Sequence, residues 1–185
     1  IEPGILTGAI DWKSLGVQLA AANGTWHLWD ESGSWEWPSR LLGLRPGGQH
    51  LFKSVNSGRT WKDLGDMSTG VDRSTLPLMG RKPGENTLSL DDGVPYFPGV
   101  TALAESPRAK GVLYVGTDDG RFRVSRDGGM TFTDVQTRFP GLPKDSWFAG
   151  VDASRHAAGT AYVVVDNHRS NDFTNYVYAT ADFGT

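Results

Sequence analysis

The sequence contains no cysteine, which excludes disulfide bonds and thiolate metal sites. It also lacks any apolar run close to the roughly 20 residues that a membrane-spanning helix needs. Positive charge is not in excess, because 18 Lys and Arg stand against 21 Asp and Glu and the formal net charge is −3. We therefore expect neither a membrane span nor a nucleic-acid partner.

The residues that are abundant favour a turn-rich β fold. The 185 residues include 24 Gly, 10 Pro and 7 Trp, and 38% of them are hydrophobic. This length suits one ordinary domain, and the aromatic residues can build its core. Because the chain starts at Ile1 and shows no signal peptide, we expect it to be a processed or excised piece.

The clearest period-2 alternation of apolar residues lies between residues 99 and 135. Val112 and Tyr114 form one run, Phe122 and Val124 form another, and an Asp-Gly turn at residues 118–120 separates them. The pattern predicts one antiparallel sheet with strands at residues 100–104, 112–116, 121–125 and 131–135. A second series is predicted at residues 147–151, 160–165 and 176–179.

An eight-residue turn pattern occurs twice and begins a third time. The positions that match are Ser54, Asn56, Gly58, Thr60 and Trp61, then Ser125, Asp127, Gly129, Thr131 and Phe132, and finally Asp182 and Gly184 in the segment from Thr180 to Thr185. Short Ser and Asp side chains can accept hydrogen bonds from the N–H groups of such a turn. Glycine permits a positive φ there. We expect all of these residues to be structural and to join a third strand to an outer strand.

This pattern, S/T-x-D-x-G-x-T-W/F, is the Asp-box or BNR repeat. Over residues 44–185 the chain resembles bacterial Asp-box β-propeller proteins that are related to the sortilin (Vps10) propeller and are often labelled glycosyl-hydrolase-like. The resemblance implies an all-β fold of antiparallel four-stranded blades and a secreted or periplasmic location. Two readable blades and part of a third cannot close a propeller. We therefore expect a partial propeller, completed by the rest of a larger chain or by other copies.

Residues 1–43 do not match this pattern and are treated as a separate Trp-rich segment. A short helix is expected at residues 14–22, ended by Asn23-Gly24. A hairpin is expected between Trp26 and Trp37. Its Trp residues could form a sugar-binding platform beside acidic side chains, or they could pack a blade or a subunit contact.

In an up-and-down sheet, successive connections lie alternately at the two ends of the strands, and we call these ends the two edges of the sheet. The Asp-box turns therefore lie at the edge opposite the loops between second and third strands. Function tends to lie on such loops. The ligand-binding candidates on that edge are Asp118, Asp119, Asp166, His168, Arg169 and Asp172. Asp118 and Asp119 could instead be simple turn formers, and Arg169 could pair internally with Asp172. The long polar stretch 65–97 is either a solvated crossing loop or a lid over this edge.

Evidence for catalysis in the sequence is weak. Glycoside hydrolysis usually needs two carboxylates about 5–10 Å apart, and the candidates are Asp91, Asp92, Glu105, Asp118, Asp119 and Asp172. Nothing in their spacing selects a pair. The Arg-Ile-Pro signature of sialidases is absent, and the four His residues show no metal-ligand spacing. We therefore predict a non-catalytic binding or scaffold module for protein or glycan, with no metal and no cofactor. The alternative is part of a secreted glycoside hydrolase that resembles xyloglucan-active Asp-box propellers.

Overall fold

The computed structural model describes residues 17–22, 25–30, 44–56, 58–84 and 97–185. Strands and three short 3₁₀ turns, Arg73–Thr75, Gln136–Arg138 and His168–Ser170, form the regular structure of these residues, and no α-helix occurs among them. The strands are β1 (Val17–Ala22), β2 (Thr25–Asp30), β3 (Leu44–Gly47), β4 (His50–Lys53), β5 (Lys62–Asp66), β6 (Val100–Glu105), β7 (Leu113–Thr117), β8 (Phe122–Ser125), β9 (Thr133–Asp134), β10 (Trp147–Ala153), β11 (Ala161–Asp166) and β12 (Tyr176–Thr180).

The chain divides into two compact units, of which residues 1–45 and 52–62 form one and residues 46–51 and 63–185 form the other. In the first unit, β1 pairs antiparallel with β2 from Val17 opposite Asp30 to Ala22 opposite Thr25. The helix predicted at residues 14–22 is therefore wrong, because a strand partner across a short connection outweighs the weak helix preference of an Ala-rich run. The second half of the hairpin predicted between Trp26 and Trp37 lies outside the described residues.

The four-stranded sheet has the order β6-β7-β8-β9, and each neighbouring pair is antiparallel. Leu103 lies opposite Val115, and Tyr114 lies opposite Val124. The next sheet has the order β10-β11-β12, again antiparallel. A further sheet has the order β3-β4-β5. The predicted fold class, all-β with an antiparallel four-stranded blade, is confirmed.

Strand β7 is buried along its whole length because both faces of its sheet are covered. On one face Tyr114 belongs to a core that includes Phe148 and Val163 of the following sheet. On the other face Val115 belongs to a core with Leu51 and Met67. Sheets that follow one another in sequence and pack face to face are the arrangement of propeller blades.

Two neighbouring sheets come into close contact at Gly116 of β7. A Cβ atom added there would lie 2.6 Å from the Cβ of Phe148 and 3.1 Å from the Cβ of Ala102. The ring of Phe148 packs beside those of Phe122 and Phe139, with centroid distances of 4.9 and 5.2 Å. The absence of a side chain at Gly116 thus lets an aromatic cluster fill the space between the sheets.

The three repeated turns share a hydrogen bond from the glycine N–H to the hydroxyl of the first Ser or Thr. In the turn at 125–132, the Ser125 hydroxyl accepts from the N–H of Gly129 at 2.8 Å. The carboxylate of Asp127 accepts from the N–H of Thr131 at 2.9 Å and from its hydroxyl at 2.6 Å. The equivalent glycine bond is 2.8 Å in each of the other two turns, from Gly58 to Ser54 and from Gly184 to Thr180. The three glycines have φ values of 79°, 87° and 78° in chain order.

Candidate functional site

A groove of about 350 Å³ lies at the edge of the second unit opposite the turn at 125–132. It is bounded by the end of β7, the start of β10 and the connection from β11 to β12. Residues 73–77 bound its remaining side, and we call them the groove wall. Four of the six candidate binding residues line it, namely Asp118, Asp166, Arg169 and Asp172. The antiparallel order of the strands brings these chain-distant residues to one edge.

Asp118 follows β7 directly and is only 5% exposed. Its Oδ1 accepts the N–H of Gly99 at 2.7 Å, and its own N–H donates to the carbonyl of Gly99 at 3.2 Å. Burial raises the pKa of Asp118 to about 6, and the charge of Asp119 adds to this, while the Gly99 N–H and the Arg169 guanidinium oppose it. The groove therefore holds a carboxyl group that titrates in mildly acidic solution.

Asp119 is fully buried and is not among the residues that line the groove. Its Oδ2 accepts the N–H and the hydroxyl of Thr69, both at 2.7 Å, and the N–H of Gly70 at 3.2 Å. Its Oδ1 accepts the hydroxyl of Thr117 at 2.6 Å. All four donors bind the Asp119 carboxylate, and the three from Thr69 and Gly70 hold residues 69–70 against the sheet.

The connection from β11 to β12 contains the 3₁₀ turn His168–Ser170 and ends it with Asn171 at a φ of 61°. Asp166 Oδ1 accepts the N–H of His168 at 2.9 Å and lies 2.7 Å from Nδ1 of the same residue. Burial alone would raise the pKa of Asp166, but these bonds to His168 outweigh it and lower the pKa. Asp166 is therefore an ionised acceptor of fixed orientation.

Arg169 reaches across to the neighbouring strand. Its Cζ lies 4.3 Å from the centroid of the Trp147 ring, which is a cation–π contact. Burial lowers the pKa of Arg169, and the nearby charge of Arg73 lowers it further, whereas Asp118 and Asp166 oppose the change. The indole Nε1 of Trp147 is buried and has no hydrogen-bond partner within the described part of the chain.

Asp172 is bonded within its own loop. It accepts the N–H of Thr174 at 3.1 Å and the hydroxyl of Tyr176 at 2.9 Å, and the bond from Thr174 is the main reason that its pKa is lowered. The ion pair with Arg169 that the sequence left open is not formed, since Arg169 lies over Trp147 instead.

Sequence reasoning did not place Trp147 or Arg73 at this edge. The sequence predicts Trp147 as the first residue of a strand, and this position at a strand end is the signal that points toward the groove. Arg73 belongs to the long polar stretch 65–97, where nothing in the pattern separates a wall residue from a solvated one. Its guanidinium also lies 4.9 Å from the centroid of the Phe97 ring.

The remaining acidic candidates do not join the groove. Glu105 accepts the N–H of Gly111 at 2.8 Å, within the connection between β6 and β7. Asp91 and Asp92 lie outside the described residues. Among the residues with described positions, no group of three or more His, Asp or Glu side chains is arranged to hold a metal ion. No helix in this part of the chain is long and apolar enough to cross a membrane.

No family model matches the chain, and no curated protein matches it. Several solved structures are similar to it, and two of them are described here. One is the GH74 xyloglucanase from Xanthomonas campestris, with 19% sequence identity, a TM-score of 0.46 and coverage of 91% of this chain. The other is a GH74 enzyme from Niastella koreensis, with 17% identity, a TM-score of 0.47 and coverage of 95%. This chain spans 28% of the length of each. Likeness at this level says nothing about activity.

Proposed function

We propose that the protein is a non-catalytic binding module that recognises a glycan or a protein through the groove between β7, β10 and the β11–β12 connection. One observation carries the proposal: a guanidinium, an indole ring and carboxylates meet at one edge of packed sheets, although they come from the end of β7, the start of β10 and the β11–β12 connection. Binding residues are typically held in this way, on loops that a rigid scaffold positions.

The groove suits a ligand with many hydroxyl or amide groups. Its lining carries the cations Arg73, Lys144 and Arg169 and the acids Asp118, Asp145, Asp166 and Asp172, so neither sign dominates. Asp166 and Asp172 are held by bonds within their loop and present oriented acceptors. Arg169 supplies donors, and Trp147 supplies an apolar surface. Sugar hydroxyls and peptide amides both fit such a mixture.

The test is the triple change His168→Ala, Arg169→Ala and Asp172→Ala. We expect it to abolish binding of xyloglucan oligosaccharides or of the best ligand from a glycan and peptide array, while the melting temperature stays within a few degrees. The double change Arg108→Ala and Lys110→Ala, at the opposite edge, is the matched control and should leave binding intact. Unchanged binding in the triple variant, or a sharp fall in its melting temperature, would show that this loop is scaffolding.

A second candidate, a glycoside hydrolase, is favoured by the contrast between Asp118 and Asp166. Burial keeps Asp118 protonated up to about pH 6, whereas hydrogen bonds keep Asp166 ionised. Such a pair could act as general acid and general base on a glycosidic bond. Reducing-sugar release from xyloglucan, lost in both Asp118→Asn and Asp166→Asn, would establish the enzyme. Binding without cleavage would establish the module.

We also propose that further blades, from a longer chain or from other copies, cover the outer face of the last sheet. Tyr162, Val164 and Val177 are 50%, 47% and 67% exposed on β11 and β12. We further propose that the three turns are Asp-box turns and that the protein has a secreted or periplasmic location. The hydrogen bonds common to the turns support the first of these.

A further inference from the structure

Two guanidinium groups lie in the groove within range of each other's charge. Arg73 belongs to the groove wall and Arg169 to the β11–β12 connection, and both line the groove. The charge of Arg73 lowers the pKa of Arg169, so the two groups are close enough to repel each other. Holding two like charges together costs free energy, and an anion bound between them reduces that cost.

An aromatic ring holds each of these guanidinium groups in place. The Cζ of Arg73 lies 4.9 Å from the centroid of the Phe97 ring, and that of Arg169 lies 4.3 Å from the centroid of the Trp147 ring. A ring in such a contact touches the flat face of the guanidinium, whereas the N–H donors point outward in its plane. Stacking therefore orients a guanidinium without using its hydrogen-bond donors.

The four acidic side chains that line the groove do not neutralise this pair of cations. Asp145 lies 3.7 Å from the ammonium group of Lys144. Asp166 and Asp172 accept hydrogen bonds from residues of their own loop. The fourth, Asp118, is buried, and burial raises its pKa to about 6. In mildly acidic solution the groove therefore holds two stacked guanidinium groups and one carboxyl group that has lost its charge.

The other polar groups of the groove favour an acidic sugar over an acidic peptide. The carboxylates of Asp166 and Asp172 have fixed orientations and can only accept hydrogen bonds, so they need donors from the ligand. A pyranose presents several hydroxyl donors on one rigid ring. An acidic peptide has its donors along the main chain and its carboxylate on a flexible side chain. A hexuronic acid combines hydroxyl donors and a carboxylate on the same ring.

We propose that the groove binds a glycan through a hexuronic acid residue, whose carboxylate lies between the guanidinium groups of Arg73 and Arg169 and whose hydroxyl groups bind Asp166 and Asp172. The inference rests on the proposed function, since it names the ligand of the same groove. The sugar carboxylate accepts bidentate hydrogen bonds from a guanidinium, which the hydroxymethyl group of a neutral sugar cannot do. The two arginines thus set a preference for acidic over neutral sugars.

Matched pairs of trisaccharides test this preference. Each pair contains a hexuronic acid trimer and the corresponding neutral hexose trimer, in the galacto, gluco and manno series. The members of a pair differ only in a carboxylate against a hydroxymethyl group. We expect the acidic member of at least one pair to bind the full chain roughly tenfold more tightly, measured by calorimetry at about pH 5.

Single variants then separate charge from shape. Arg73→Gln and Arg169→Gln remove the charge and keep a polar side chain. Each should weaken binding of the acidic trimer about tenfold and that of the neutral trimer less than about twofold. Arg81→Gln is the matched control, because Arg81 is exposed and does not line the groove. It should leave both affinities unchanged.

The charge of Asp118 gives a second readout, because its negative charge opposes the binding of an anion. Between about pH 7 and about pH 5 Asp118 gains its proton, while a sugar carboxylate stays ionised, since carboxyl groups ordinarily titrate near about pH 4. The affinity for the acidic trimer should therefore rise as the pH falls, and that for the neutral trimer should not. The charged and titratable groups around Asp118 are Asp119 on its own turn, Arg73 on the groove wall, Lys144 and Asp145 before β10, and Asp166, His168, Arg169 and Asp172 on the β11–β12 connection.

The variant Asp118→Asn distinguishes Asp118 from these neighbours. Its affinity for the acidic trimer should stay constant over the same pH range, because the amide does not titrate. A rise in affinity that persists in this variant would contradict the role given to Asp118.

Three results overturn the proposal and leave the proposed function intact. They are equal affinity for the acidic and neutral members of every pair, undiminished binding of the acidic trimer in both arginine variants, and tighter binding of an Asp- and Glu-rich peptide than of any uronic acid trimer. If the full chain instead binds no glycan and no peptide of the array, the proposed function itself is contradicted.

Discussion

The guanidinium of Arg169 lies over the ring of Trp147, 4.3 Å from its centroid, and so joins the β11–β12 connection to the first residue of β10. The main chain of the same residue is also engaged, since the carbonyl of Arg169 accepts the N–H of Met79 at 2.5 Å. Arg169 therefore links three segments of the chain, namely the β11–β12 connection, the start of β10 and the segment that contains Met79.

Separating Arg169 from Trp147 should cost stability in a way that a double-mutant cycle can isolate. We expect a coupling of about 0.5–1 kcal/mol between Arg169→Ala and Trp147→Leu, measured by urea unfolding. Arg169→Lys should retain only part of it, because an ammonium does not stack on an indole as a guanidinium does. A coupling energy of zero would mean that the contact adds nothing to the free energy of unfolding.

Asp118 should make the protein less stable as the pH rises from 3.8 to about 6. Its pKa is raised in the folded state, so the folded protein holds a proton in this window that the unfolded chain releases. The contribution is fully present below 3.8 and is lost above about 6. Asp118→Asn should reduce the change in melting temperature with pH across this window, because the amide does not titrate. The variant should remain folded, since its amide oxygen can still accept the Gly99 N–H. A variant with an unchanged pH profile would contradict this.

Asp127 should show the opposite dependence on pH. The hydroxyl and N–H of Thr131 hold the pKa of Asp127 well below its ordinary value of 3.8. Its stabilisation is therefore present at neutral pH and lost as the pH falls below 3.8. Asp127→Ala should lower the melting temperature at neutral pH. Asp127→Asn should lower it less, because Asn56 occupies this place in the first turn and accepts the N–H of Thr60 at 2.9 Å.

Gly116→Ala should destabilise the protein by about 1–3 kcal/mol, because the new methyl group would overlap Phe148. Gly150→Ala is the matched control on β10, where an added Cβ meets nothing within 4 Å. The control should stay within about 0.5 kcal/mol of the parent in chemical denaturation. Equal losses in the two variants would show that backbone freedom, and not packing, sets the requirement at Gly116.

The strands from β6 to β12 could be predicted because apolar residues alternate along most of them, and Asp-Gly turns separate β7 from β8 and β8 from β9. The helix at residues 14–22 was wrong because propensity is weak beside strand pairing. The contact between Arg169 and Trp147 could not be predicted, since it depends on how two sheets meet. Neighbouring carboxylates presented the same difficulty: Asp118 and Asp119 point to different surroundings, and only the tertiary structure decides which one reaches the groove.

The four hydrogen bonds of Asp119 have a consequence for how the groove wall is placed. Residues 73–77 belong to no sheet. The segment just before them is nevertheless held in place, because Thr69 and Gly70 donate hydrogen bonds to the buried carboxylate of Asp119. Residues 73–77 are thus held on both sides, by Asp119 before them and by the bond from the Met79 N–H to the Arg169 carbonyl after them. A change at Asp119 would release the first of these two attachments without altering any residue that lines the groove.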